Sequence, residues 1–298
     1  MRSRTPSARR IWRLFSGGLT AEGKALVLES GGPAGARSRV IPRGRGALTV
    51  ILALFFGWSV LEVRWGADLV HPGGGHLLAV MLAGIATPDL SAGVLAKGAE
   101  AVWITLTYAL TGMTVAVAAG LPLGLVASGV LVSRPGARRA TVAMARFVLA
   151  CLRAVHELVW AWLFVAAIGL SPAVATLAIA IPYAGILGRI YADILNDVPA
   201  APVRALATAG AGTGKQLLYG RLPLALPDMV SYTFYRLECA LRASAIMSFV
   251  GLAGLGYRIQ LALDDLRFHQ VGTYLLALVV LIVATDSWSG VVRRRLVA

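Results

Sequence analysis

An all-α polytopic membrane protein of about six transmembrane helices is the fold class this sequence predicts, and three observations carry it. Hydrophobic residues make up 58% of the chain and charged residues only 14%, where a soluble domain carries roughly a quarter charged residues. Several apolar runs approach or exceed the stretch of about 20 residues that crosses a bilayer. The basic residues gather between those runs, ten of the 28 Lys/Arg lying before Ala47. That distribution reads a formal net charge of +14 as an orientation signal for membrane insertion rather than as a nucleic-acid footprint. No aromatic residues interleave with a basic stripe as a single-strand binder requires. Cys151 and Cys239 both fall inside apolar runs and have no metal or disulfide spacing.

Residues 1–46 are rich in Arg, Gly and Ser, contain only Glu22 and Glu29 as acids, and read as a flexible cytoplasmic tail. Residues 47–98 hold the first span and an extracytoplasmic connector. The span is Ala47–Val63, with Trp58 and Trp65 as interfacial anchors. In the connector, the nine apolar residues Leu77–Ile85 are too short to cross and predict an interfacial helix. Residues 99–295 form the core. Its first span, Ala99–Ser128, is expected to break near Pro122, and Gly120 and Gly124 have the small-xxx-small spacing of close helix approach. A basic loop with Arg134, Arg138, Arg139 and Arg146 leads to a span over Val142–Gly169. The turn Gly169-Leu170-Ser171-Pro172 joins it to Pro172–Leu195. A loop over residues 196–225 precedes the span Leu226–Leu252. A polar connector, Tyr257–Gln270, then leads to the last span, Val271–Val292, which ends on Arg293-Arg294-Arg295.

Six spans place both termini on one side. The basic tail, the second loop, the 196–225 loop (Arg204, Lys215, Arg221) and the C-terminal arginines outweigh Arg64, Lys97, Arg258 and Arg267 on the other. The positive-inside rule puts that richer side, and both termini, in the cytoplasm.

Five ionisable residues remain at depth: Arg153 and Glu157 in the third span, and Arg236, Glu238 and Arg242 in the fifth. Each costs roughly 2.5–3.5 kcal/mol at a helix centre on insertion scales, so they must face the bundle interior or a wet path. Arg153/Glu157 and Glu238/Arg242 have the i,i+4 spacing of an ion pair on one helix face, and Arg236 has no evident mate in its own span. Two roles fit: locking helices together, or supplying positive potential along the path of an anion. His156 beside Glu157 is a hydrogen-bonded packing residue on this reading, since no histidine chain crosses the membrane. The chain shows no P-loop, HExxH or CxxC. Its GLAGLG run, Gly251–Gly256, follows an apolar helix rather than a strand. No catalytic or metal site and no cofactor are therefore expected on this chain.

The stretch Arg204–Pro227 is small-residue, polar and basic between long apolar runs. Its order of Ala205, Gly210 and Leu222-Pro223, with Gly210 and Pro223 thirteen residues apart, resembles the coupling loop of ABC-importer permeases. Further stretches extend the likeness to about residues 100–295: Glu157-Leu-Val-Trp-Ala161, Ala184-Gly-Ile-Leu-Gly188, Ser231–Glu238, Arg242-Ala-Ser and Phe249–Gly256. Together they resemble the type I ABC importer permeases, and among them the phosphonate permease family. The resemblance implies an importer permease for phosphonate or a related phosphorus oxyanion in the bacterial inner membrane. It implies a second permease copy as homodimer partner, a cytoplasmic ABC ATPase dimer that uses the ATP, and an extracytoplasmic substrate-binding protein. Arg204, Ala205, Gly210, Leu222 and Pro223 would then be the ATPase-coupling residues. The chain departs from the family pattern at Arg204, where Glu opens the motif, and at Leu206, where Ala is usual. It also has His156 for a Pro, and Pro182-Tyr183-Ala184-Gly185 for a His-Thr-Ala-Gly type sequence. The competing reading is an ion-coupled secondary transporter of a small anion, which needs no ATPase.

Overall fold

The computed structural model describes residues 43–63, 74–132 and 134–297. The expected tail therefore lies almost wholly outside the described residues, as does Trp65. Among the described residues every regular element is helical. The chain divides into a unit that ends at His71 and a unit that begins at Pro72.

In the first unit, α1 (Arg43–Glu62) covers the first expected span. Trp58 stacks on Phe55 one turn earlier and points its indole N–H at Glu62, 3.4 Å away.

The second unit opens with α2 (Gly74–Ala86), the helix expected to lie at the interface, and α3 (Ala92–Ser128). Between them the Ser91 backbone N–H donates to the Asp89 carboxylate at 3.0 Å and lowers its pKa. Helix α3 begins seven residues before the expected start of its span and takes in Lys97. It runs unbroken through Pro122, contrary to the expected break. The lost N–H costs one intrahelical bond, and the close seam formed by the flanking glycines holds this segment in register.

That seam is with α6 (Pro172–Asp197). A Cβ on Gly112 would meet Ile179, one on Gly120 would meet the Ala184 carbonyl, and one on Gly124 would lie 2.7 Å from the Gly188 carbonyl. The partners advance along both helices together, so α3 and α6 run parallel. The Gly120/Gly124 reading of the sequence is thus realised as backbone-to-backbone packing. Replacing Gly124 with Val overpacks the seam, and thermal unfolding in detergent should show a loss of about 1–3 kcal/mol. Gly136→Val, at a site with open space around it, is the control.

Parallel α3 and α6 need a return crossing, which α4 (Pro135–Ala154) and α5 (Glu157–Ile168) supply. They form not one straight span over Val142–Gly169 but a pair bent by 79°. Val155 is extended (φ −101°, ψ 129°), and His156 caps α5, its Nδ1 accepting the Leu158 N–H at 3.2 Å. A side-chain acceptor at an N-cap offers the backbone an alternative to continuing the helix. Most of the basic loop before this span is itself helical, since α4 starts at Pro135.

After α6 come α7 (Ala200–Thr208), a single turn at Thr213–Lys215, and a π-helical stretch at Gln216–Arg221 that leads into α8 (Leu222–Met247). A 3₁₀ turn over Ser248–Val250 and the glycine turn that follows lead to α9 (Leu255–Asp264) and α10 (Phe268–Val297). The expected polar connector is thus largely helical: α9 buries Leu255, Ile259 and Ala262 and turns its polar residues outward. Thr105, fully buried on α3, ties the centre. Its hydroxyl accepts the Leu255 N–H at 3.0 Å, and its carbonyl accepts the Ser244 hydroxyl at 2.9 Å. Helix α2 docks on the start of α10, where Thr273 donates to the Asp89 carbonyl at 2.8 Å and Gly84 abuts Phe268.

Among the described residues three helices, α3, α6 and α10, are each long and apolar enough to cross a membrane. The bent pairs α4–α5 and the Thr213–Val250 segment with α9 raise the number to five, beside the shorter α1 and α2.

Candidate functional site

Two regions hold the residues singled out in the sequence. The first lies between α6 and α8. Helix α6 stops where Val198 is extended before Pro199, as a residue preceding proline favours. The nine-residue α7 follows, and its C-terminus is a Schellman closure. Gly210 has φ +80°, its N–H donates to the Ala207 carbonyl at 3.0 Å, and the Ala211 N–H donates to the Leu206 carbonyl at 3.0 Å. Val203 and Leu206 turn inward onto Gly220, where an added Cβ would meet Leu206 Cδ1 at 2.9 Å. Arg204 and Ala205 are exposed, as are Leu218 and Tyr219 of the π-helical stretch. Leu222 and Pro223 are not in a loop but form the first turn of α8, where a proline needs no N–H partner. Arg221 anchors the segment by donating to the Leu195 carbonyl at 2.8 Å, near the C-terminus of α6.

The second region holds the five ionisable residues expected at membrane depth; in this chain Glu238 is buried, Glu157 and Arg236 are half-buried and Arg153 and Arg242 are exposed, and the expected pairings change. Arg153 and Glu157 do not share a helix face, because the bend at Val155-His156 separates them. Glu157 lies instead beside His156, with Oε1 3.7 Å from Nε2. Glu238 and Arg242 do not pair either. The carboxylate of Glu238, 8% exposed as a residue, turns to α10 and meets Arg293 at 3.1 Å. Asp286 approaches the same arginine at 3.9 Å. Arg236 does have a mate in its own helix. Its Nε and Nη2 donate to the Tyr232 hydroxyl at 2.9 and 2.7 Å, and its Cζ lies 5.2 and 5.5 Å from the Tyr232 and Tyr235 ring centres. One face of α8 thus carries Tyr232, Tyr235, Arg236, Cys239 and Arg242, while another sends Phe234 and Glu238 to α10.

Arg242, Cys239, Tyr183, His156 and Glu157 line one cavity of about 200 Å³. Arg153, Arg236 and Arg242 enter no ion pair among the described residues, whereas Arg146 and Arg189 share Asp193 at 3.9 and 2.9 Å. Sequence reasoning missed Tyr232, and it gave no partner to Tyr183, noted only as a departure from the family pattern, or to Arg293, noted only as an end-of-span cation. A tyrosine four residues before Arg236 was a readable i,i+4 signal. Nothing local announces the Glu238–Arg293 pair, which is fifty-five positions apart.

Residues 120–298 match the family described as "Binding-protein-dependent transport system inner membrane component". The chain belongs to this family. As a family member it is a multi-pass membrane component of a transport system, with the all-α importer permease fold. It is 32% identical over 190 residues to the phosphite transport system permease protein PtxC of Stutzerimonas stutzeri, covering 64% of this chain and 68% of that one. It is 31% identical over 193 residues to the phosphate-import permease protein PhnE of Mycolicibacterium smegmatis, covering 65% of this chain but 36% of that longer one. A solved inward-facing structure of the MetNI methionine ABC transporter superposes with TM-score 0.60 at 18% identity, across 70% of this chain and 99% of that chain. That likeness concerns the fold. Both named relatives are transport permeases, and two departures from the family pattern noted in the sequence, His156 and Tyr183, line the α5–α6–α8 cavity.

Proposed function

We propose that the chain is the permease subunit of an ATP-driven importer for a phosphorus oxyanion in the bacterial inner membrane. The observation that carries the importer half is α7. It is a short, separately closed helix between two transport helices, with its small and basic face outward and its apolar face folded back on Gly220. Such an element suits a groove on a partner, and Arg221, at the end of the π-helical stretch that packs on α7, ties that stretch to the end of α6. The oxyanion half rests on PtxC and PhnE, named for phosphite and phosphate, together with the excess of guanidinium groups over carboxylates in the membrane-depth cluster.

On this reading two permease copies pair, a cytoplasmic ATPase dimer docks at residues 196–225, and a soluble binding protein delivers the anion from outside. ATP is bound and hydrolysed on the ATPase, and this chain contributes a path and a lever. Closure of the ATPase dimer moves α7, and the π-helical stretch passes that motion into α8, whose rotation re-aims Arg236 and Arg242. The planar guanidinium fork suits two oxygens of one oxyanion.

The test is ATP hydrolysis by the assembled complex in nanodiscs. Binding protein loaded with phosphite, phosphate or a phosphonate is expected to stimulate hydrolysis over unloaded binding protein. Hydrolysis indifferent to all of these ligands contradicts the substrate class, and failure of any ATPase to assemble with the chain contradicts the importer reading. Arg236→Gln and Arg242→Gln variants that still assemble are expected to lose most uptake. Wild-type uptake kinetics in both would remove the arginines from the path.

A further inference from the structure

The cavity at the α4–α5 bend is built from three helices: the N-terminus of α5 (His156, Glu157, Leu158), Tyr183 of α6, and Cys239, Arg242, Ala243 and Ile246 of α8. We propose that it is a holding site for a single tetrahedral phosphorus oxyanion during transport, with Arg242 and Tyr183 as donors and Glu157 as the group that expels the ion. This deepens the importer reading and rests on it.

Size comes first. At roughly 30 Å³ per water, a space of about 200 Å³ exceeds what a five-heavy-atom oxyanion needs and leaves room for a partial hydration shell.

Donors come second. Tyr183 is 4% exposed, and its hydroxyl makes no hydrogen bond among the described residues although it borders the cavity. A tyrosine hydroxyl that no protein group engages is free to donate to an acceptor in the cavity. Arg242, exposed where it borders the same space, enters no ion pair among the described residues, so its guanidinium is free to meet an anion. Helix α5 also directs its N-terminus here, which adds a field favourable to anions.

Glu157 decides how long the ion stays. Arg242 and Glu157 line the cavity, and Arg236, held on Tyr232 outside that lining, adds a second guanidinium to the field at Tyr183. His156 Nδ1 accepts the Leu158 N–H, which leaves Nε2 facing Glu157 at 3.7 Å. A carboxylate beside the ion weakens its hold, as a carrier site that must release its cargo requires. Neutral solutes are disfavoured because they leave the Arg242 guanidinium unmatched.

The experiment uses the full chain with its ATPase and binding protein in proteoliposomes. Uptake of radiolabelled phosphate and phosphite and ATP hydrolysis are measured on the same vesicles, with size-exclusion profiles confirming assembly. Tyr183→Phe should lower anion moved per ATP roughly ten-fold while hydrolysis stimulated by the binding protein persists. Arg242→Lys should retain part of the uptake that Arg242→Gln loses. Glu157→Gln should do the reverse: the detergent-purified complex should retain more labelled phosphate at equilibrium, and turnover should slow. Tyr183→Phe and Arg242→Gln complexes that move both anions at the wild-type rate and stoichiometry overturn the site and leave the importer reading standing. Wild-type vesicles that move neither anion overturn the substrate reading and the site with it.

Discussion

A Gly210→Asp chain is expected to insert into the membrane and fold, yet to lose both transport and co-purification with an ATPase. The separation of those outcomes follows from the geometry. Gly210 sits at φ +80° at the end of α7, and a Cβ there meets nothing within 4 Å. The fold therefore has room for a side chain, and aspartate tolerates the left-handed conformation better than most residues. The cost within the chain is of the order of 1 kcal/mol. A complete loss of assembly would then report a steric or charge conflict with a docked partner. Gly210→Ala isolates the backbone contribution, and Gly212→Asp, also in open space, is a nearby control. Affinity-tag co-purification, run beside uptake, reads the result. An ATPase that stays bound and coupled to the Gly210→Asp chain would remove the docking role from this segment.

The Glu238–Arg293 pair should produce the largest stability effect of any single substitution at the charge cluster. Arg293→Ala leaves the Glu238 carboxylate buried against α10 without its counter-ion, and removing one partner of a buried pair costs about 3–5 kcal/mol. The reverse change, Glu238→Gln, is expected to cost less. Arg293 is 29% exposed in its side chain and retains Asp286 at 3.9 Å. It can also extend its stem to carry the charge toward water. The double variant, Glu238→Leu with Arg293→Met, exchanges the pair for apolar packing and should recover much of the loss. A double-mutant cycle on thermal unfolding in detergent measures the coupling. Purely additive losses would show that the two side chains do not stabilise each other.

Much of the architecture was legible because the bilayer makes apolar length and charge position informative. The spans over Ala99–Ser128, Pro172–Leu195 and Val271–Val292 correspond to α3, α6 and α10, and Gly120/Gly124 marked a real seam. What could not be read were the places where local chemistry and tertiary packing disagree. Pro122 signals a break, but packing against α6 keeps α3 continuous. Val155-His156 carries no glycine or proline, yet the chain bends there by 79°, and the available sign was a capping imidazole followed by an acid at the first position of a helix. The charge cluster shows the same limit. Spacing named the five residues and proposed two pairs, but Arg153 and Glu157 straddle that bend, and Glu238 finds its partner on a different helix. Helical periodicity orders neighbours within a segment and has nothing to say about which segments meet. Tyr183 stood out in the sequence only as a departure from the family pattern, and its place beside Arg242 and Glu157 comes from the meeting of three helices.

On the proposed function this chain moves an anion by force transmitted from ATP hydrolysis on another subunit. Uptake of labelled phosphite or phosphate into vesicles containing the assembled complex, with and without ATP and with and without an uncoupler, tests it most directly. Accumulation that requires ATP, fails with a hydrolysis-defective ATPase and survives the uncoupler is the expected result. Accumulation by the chain without any ATPase, abolished when the proton gradient is collapsed, would contradict the account and make the protein an ion-coupled carrier.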